Sequence, residues 1–451
     1  MTAGQGPRNR SNHKHAAGRP PVTGGQTARK DRLSGVDAAR GVALLAMIAI
    51  HILPAWNDEF APTLVWSAFA GRGVALFALL AGLSLALSSG GARRLDGDRL
   101  SAARAGIAVR AAIILGIGLL LGYLDIMAQV ILAYYGVMFL LALPLLRLSA
   151  RALTVLAAAV ALVFPFIMQG LRDYLPEPPP GQPTLTGLFT DFGAQVPQLL
   201  LTGTYPALPW MAYICAGLAI GRLDLRSRKV QSGLLASGCG LALLTTLVSA
   251  FLLGPAGGRN ALEELNGGGS TGAEAVYDIL VWGPDPTLPT DSWWWLAGLA
   301  PYSSTPVVIL NTIGLSAALL ALLLLVGPRI ERFLAPLAAM GTMTLTLYSA
   351  HLLLLATGLL TGLPWLALLL HIGLAAAFAL LWRPRMGQGP LERLVSAAVS
   401  RVRAAVLSRK QHRSGDTLPS PQEEPVPPRL RNRGSRHRAG LQDTDPPGQH
   451  R

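Results

Sequence analysis

Asp37, Arg40, His51, Arg72, Asn311, Tyr348 and His351 stand inside otherwise apolar runs of this 451-residue chain. An ionisable side chain surrounded by hydrocarbon is costly and marks either a site of function or a tight pair. The set points to acyl transfer. A neutral imidazole takes the proton from an attacking hydroxyl or amine, or itself accepts the acyl group. A guanidinium or amide beside it holds the developing oxyanion, a contribution of about 3 kcal/mol per well-placed donor in a dry site. Arg40 and His51 are eleven residues apart, almost a whole number of helical turns, so they share one face at a separation of roughly 16 Å. Asp37 lies three residues before Arg40, within its reach. Two readings of that pair stand: a self-neutralising structural link, or part of a donor-binding site. Arg72 likewise either faces the site or extends to the lipid headgroups. His371, alone in its apolar run, reads as an ordinary histidine bonded to a neighbouring helix.

These residues need helices to hold them. The chain is 51% hydrophobic and only 14% charged, with a mean hydropathy of +0.43, the composition of a polytopic membrane protein. Apolar runs cover 36–54, 65–88, 106–122, 127–146, 152–169, 205–221, 231–254, 305–327, 335–358 and 364–382. The fold class expected is an all-α membrane bundle of about ten transmembrane helices. Cys215 and Cys239 fall in apolar runs, so neither a disulfide nor a metal site is expected. No cleavable signal peptide precedes the first run.

The net charge of +14 invites a nucleic-acid partner, but its distribution argues against one. Residues 1–34 hold seven Lys/Arg against one acid, 383–451 hold fourteen against six, and the body between is balanced. Basic tails beside a membrane meet anionic lipid. Three regions follow: a disordered basic tail at 1–31, a transmembrane domain at 32–395 and a disordered basic tail at 396–451. Arginines cluster after alternate helices (Arg93, Arg94, Arg99, Arg104; Arg147, Arg151; Arg222, Arg226), whereas the remaining loops are acidic. The positive-inside rule then predicts a multi-pass protein of the cell membrane with both termini cytoplasmic. In that topology His51, Arg72, Asn311, Tyr348 and His351 share one depth in the outer half. The long outer loops 170–204 and 255–304 carry a proline-rich stretch and Trp293-Trp-Trp295, the latter read as an interfacial anchor.

Arg40-Gly41 followed by His51 resembles the first-helix motif of the acyltransferase 3 type of membrane acyltransferase. Gly73-Val-Ala75-Leu-Phe77 through Ala81-Gly82 is similar to that group's second-helix stretch, with alanines replacing its acid and serine, and Tyr348-x-x-His351 resembles a late motif. More closely, Val36-Asp37-Ala-Ala-Arg40-Gly, Tyr205-Pro206-Ala-Leu-Pro209-Trp210, Gly217-x-x-x-Gly221-Arg222 and Gly389-Pro390-Leu391-Glu392 resemble bacterial relatives of heparan-α-glucosaminide N-acetyltransferase. The resemblance implies transfer of an acyl group, usually acetyl, from cytoplasmic acyl-CoA to a carbohydrate or glycolipid acceptor across the membrane. Acetyl-CoA is then a donor substrate, with no bound cofactor. Carried onto this chain, His51 becomes the base or acyl carrier and Arg40 a motif partner facing the donor. His351 and Arg72 support it catalytically, and Asp37, Asn311, Tyr348 and Trp210 bind substrate or donor. Helix ends with Arg93, Arg94, Arg222 and Arg226 are the expected donor site. The rival class is a transporter or exporter in which the same buried groups bind cargo or relay protons.

Overall fold

A computed structural model describes residues 33–285 and 287–415. The tail expected at 1–31, and all of the C-terminal tail beyond 415, lie outside the described residues. Among the described residues the regular structure is helical, with no β-strand. In chain order come α1 (Ser34–Ile52), α2 (Leu64–Phe69), α3 (Arg72–Ser88), α4 (Gly97–Leu121), α5 (Leu132–Ala142) and α6 (Ala150–Leu171). Then follow α7 (Leu185–Thr190), α8 (Phe192–Pro197), α9 (Ala207–Gly221), α10 (Arg228–Leu253), α11 (Gly258–Leu265) and α12 (Gly269–Trp282). The last are α13 (Pro306–Val326), α14 (Glu331–Gly341), α15 (Thr344–Leu355), α16 (Pro364–Met386) and α17 (Pro390–Gly415).

Each of the ten apolar runs holds a helix, yet among the described residues seven spans are long and apolar enough to cross a membrane. The run 335–358 is not one helix: α14 and α15 break at Thr342–Met343 and bend by 70°, and together they would make an eighth span. The runs at 127–146 and 205–221 hold the shorter α5 and α9, of 11 and 15 residues. Leu243, Leu244 and Phe251 on α10 and Leu369, Leu380 and Leu381 on α16 are exposed, the apolar outer faces of a multi-pass membrane protein.

Without a hydrophobic force between helices in lipid, close backbone approach holds the bundle together, and small residues permit it. At Gly41 a Cβ would stand 2.2 Å from the Leu337 carbonyl oxygen, so the glycine of the Arg40-Gly41 motif lets α1 lie against α14. Gly217 meets Leu79 O in the same way, at 1.9 Å from a Cβ, where α9 crosses α3.

The long loops are structured. Residues 170–204 fold into α7, α8 and a π-helical turn at Gln198–Thr202, and 255–304 into α11, α12 and a 3-10 turn at Trp293–Ala297. The tryptophan run is more than an anchor. Trp293 is exposed, but Trp295 is buried with Leu262 and Val276 in a core of its own, and its indole N–H donates to Asp291 at 2.7 Å. At the other end of the chain, α17 runs through position 396, where the C-terminal tail was expected to begin. Arg403 on it donates to Ser88 O at 3.0 Å, and Val399 packs at Gly106, contacts that hold a basic stretch as helix.

Candidate active site

Three histidines from α1, α15 and α16 form a linked polar cluster inside the bundle. His51 in the last turn of α1 has its Nδ1 3.1 Å from Nε2 of His351 on α15, and the two rings stack at 5.3 Å with a 7° interplanar angle. His351 in turn brings its Nδ1 within 2.8 Å of Nδ1 of His371 on α16. His351 and His371 are buried and His51 is half-buried. Tyr348, one turn before His351, stands with its ring 6.5 Å from that of His51 and donates its hydroxyl to Gln129 O at 3.4 Å.

The sequence therefore placed His51, Tyr348 and His351 together, and overlooked His371. On α16 the buried residues Ala367, His371, Ala375 and Ala379 recur every fourth position, so the imidazole lies on a packed face of small residues. The signal present in the sequence was an ionisable group alone in a hydrocarbon-length run, which by default marks function.

The start of α15 is set from far away in the chain. The Glu392 carboxylate accepts from the Leu345 N–H at 2.7 Å, the Thr346 N–H at 3.1 Å and the Thr346 hydroxyl at 2.6 Å. It thus satisfies orphan donors of a helix N-terminus. The Gly389-to-Glu392 motif anchors the helix that carries Tyr348 and His351.

Two cavities approach the histidines from opposite ends of α1. The larger, about 800 Å³, lies at the His51 end, under Pro178–Gly181, Trp282–Asp285, Thr287 and Leu288, with Gln129, Arg172, Gln198 and Thr202 in its wall. Arg172 Nη1 and Thr202 Oγ1 are buried there without a hydrogen-bond partner. The smaller, about 220 Å³, lies at the Arg40 end and is lined by Arg40, Ser84, Arg110, Glu392 and Tyr348. Between them is a void of about 10 Å³ lined by both His51 and Tyr348.

At the Arg40 end, Arg40 is paired with Asp37 at 3.0 Å and donates to the Ser84 hydroxyl at 2.5 Å. Arg110 rests its guanidinium 5.4 Å from the centre of the Phe139 ring. Ser84, Arg110 and Glu392 were not singled out as site residues, although Arg110 is a charge within an apolar run, again a legible signal. None of Arg93, Arg94, Arg222 and Arg226 lines this cavity. Arg222 is buried and donates to Ala86 O, Ser89 O, Gly91 O, Leu146 O and Ser89 Oγ, tying α9 to the end of α3. Its spacing after Gly217-x-x-x-Gly221 belongs to that clamp.

Arg72 and Asn311 do not join the histidines. They line a third cavity, of about 230 Å³, together with Trp66, Trp210 and Tyr302. Arg72 donates to Ser67 O. The Asn311 amide donates to Ala242 O, Thr245 Oγ1 and Thr246 Oγ1 at 2.9–3.1 Å, joining α13 to α10. Trp210 is buried against Tyr205 and Tyr213 and donates its indole N–H to Ser304 Oγ at 3.2 Å. Trp66 and Tyr302 are shared with the wall of the large cavity, so this space adjoins it.

The described residues form an all-α bundle with seven or eight helices long and apolar enough to cross a membrane, and a half-buried histidine stands between two of its cavities. Residues 32–248 match the family model described as heparan-α-glucosaminide N-acetyltransferase, catalytic, and that stretch belongs to this family of membrane acetyltransferases. It contains Asp37, Arg40, His51, Ser84, Arg110 and Trp210, whereas Tyr348, His351, His371 and Glu392 come from beyond it. No curated protein matches the chain.

Proposed function

We propose that the chain moves an acyl group, acetyl by its family, from cytoplasmic acyl-CoA to a carbohydrate or glycolipid acceptor on the outer side, with His51 as base or acyl carrier. One observation carries the reading: His51 borders the large cavity, Tyr348 borders the small one, and both line the void between. A donor entering from the Arg40 end and an acceptor entering under the loops would meet at these two side chains. The basic loops fall at the Arg40 end, which the positive-inside rule makes cytoplasmic.

Arg40 and Arg110 suit the phosphates of a CoA-type donor, since guanidinium–phosphate hydrogen bonds are strong and directional. In the large cavity, Arg172 Nη1 and Thr202 Oγ1 each lack a partner, a cost of about 1–3 kcal/mol for a buried polar group. Polar oxygens on an acceptor would complete their bonding. In direct transfer the acceptor hydroxyl or amine bonds to the thioester carbon and gives its proton to His51. The C–S bond then breaks and the departing thiolate takes that proton. In the two-step route a His51 nitrogen bonds to the same carbon, the C–S bond breaks and the departing thiolate takes the ring proton of the acylated imidazole; the acceptor then bonds to the acyl carbon, the N–C bond breaks, and the acceptor's proton passes to the freed imidazole.

Purified protein in liposomes with labelled acetyl-CoA tests this. CoA release and label transfer to amino sugars or lipid-linked glycans are expected, and His51→Ala should lower them by about a hundredfold or more while leaving CoA binding intact. Absence of CoA binding, or cargo flux driven by a pH gradient without CoA, would favour the transporter class instead.

A further inference from the structure

We propose that His351 and His371 are positioning residues that fix the ring tautomer of His51, so that its Nε2 meets the cavities as an unprotonated nitrogen. The inference rests on the acyl-transfer reading for its purpose, but its geometry stands apart from it.

A contact between two imidazole nitrogens needs one proton between them. The chain contains two such contacts in series, His51 Nδ1 to His351 Nε2 and His351 Nδ1 to His371 Nδ1. Three neutral rings carry three protons, and only two arrangements satisfy both contacts. In the first, His51 Nδ1–H donates to His351, His351 Nδ1–H donates to His371, and His371 keeps its proton on Nε2. His51 Nε2 then holds a free lone pair, as a base or acyl acceptor requires. In the second, every donor is reversed: His371 Nδ1–H donates to His351, His351 Nε2–H donates to His51, and His51 Nε2 carries a proton and can do neither. The direction of the chain is thus equivalent to the competence of His51, and the acyl-transfer reading requires His371, at its far end, to serve as the acceptor.

The same chain accommodates the proton taken up in catalysis. When His51 Nε2 receives the acceptor's proton, His51 Nδ1–H can pass its proton to His351 Nε2, and His351 Nδ1–H can pass its own to His371 Nδ1. Each transfer forms one N–H bond and breaks another inside an existing hydrogen bond. The positive charge can therefore sit on any of the three rings, and the return of the proton to the thiolate reverses the shifts. The logic is that of a base oriented by a third group, here with histidines in both supporting places.

The atom used at position 371 gives the test. An asparagine side-chain oxygen occupies the place of imidazole Nδ1, whereas that of glutamine occupies the place of Nε2. His371→Leu should lower kcat roughly ten- to hundredfold, the size of loss known when a group that orients a metal-bound histidine is removed, with donor KM unchanged. His371→Asn should restore most of the rate and His371→Gln should not. In parallel, ¹⁵N NMR of histidine-labelled protein in nanodiscs should show His51 protonated at Nδ1 and bare at Nε2 in the wild type and in His371→Asn, and a mixture of tautomers in His371→Leu. The spectrum is read without turnover, so a failure of acyl transfer leaves it informative. Equal rates for the leucine and asparagine variants overturn the proposal. So does a wild-type His51 protonated at Nε2, which decides the matter even if His371→Leu does not fold.

Discussion

The two cavities that converge on His51 and Tyr348 are built from different material. The small one is walled mainly by regular helices, α1, α3, α4, α5, α15 and α17, with Arg40 and Arg110 set among Phe77, Leu80 and Phe139. The large one is nearly four times the volume and is closed by loop segments, with Gln129, Arg172, Gln198 and Thr202 in its wall. Helices hold side chains in place more rigidly than loops, whereas loops carry the binding diversity of a fold. Under the proposed reaction the helix-walled cavity would take a part of the donor that is the same in every turnover, and the loop-walled one the variable acceptor.

That contrast can be broken one side at a time. Arg110→Ala should weaken donor binding roughly ten- to hundredfold, the loss of charge-assisted hydrogen bonds worth about 1.5–3 kcal/mol, and leave acceptor KM unchanged; calorimetry with CoA and steady-state kinetics check it. Arg172→Ala should do the converse, raising acceptor KM by roughly tenfold with CoA affinity unaltered. If either variant moved both constants equally, the cavities would not be separate sites. The smallest effect on activity is expected at Asn311. Because its amide bonds Ala242, Thr245 and Thr246 of the neighbouring helix, Asn311→Ala should destabilise the bundle by about 1–3 kcal/mol, seen as a lower Tm, with kcat nearly unchanged.

Much of the fold was legible because hydrocarbon length and loop charge report directly on membrane helices, and all ten apolar runs hold helix. What escaped was whatever depends on a distant partner. The break at Thr342–Met343 is stabilised by Glu392 some fifty residues on, and nothing within the run 335–358 announces it. Asn311 reads as a site residue until the hydroxyls of Thr245 and Thr246 are seen to meet it. Arg222 reads as a donor-binding arginine until its carbonyl partners at the end of α3 are known. His51 and His351 were legible from motif spacing, whereas His371 is a lone polar residue whose role appears only when α16 packs beside α15. Arg110 was missed for a different reason: its charge sits inside a run counted only for its hydrophobicity.

In the proposed reaction His51 works between a donor and an acceptor held on opposite sides of the membrane. Sealed proteoliposomes with the Arg40 end facing outward, acetyl-CoA outside and an amino-sugar acceptor trapped inside test it most directly. Label should accumulate on the enclosed acceptor with CoA released outside, and His51→Ala should abolish both. Transfer that proceeds only when donor and acceptor share one side, or that survives His51→Ala, would contradict the account.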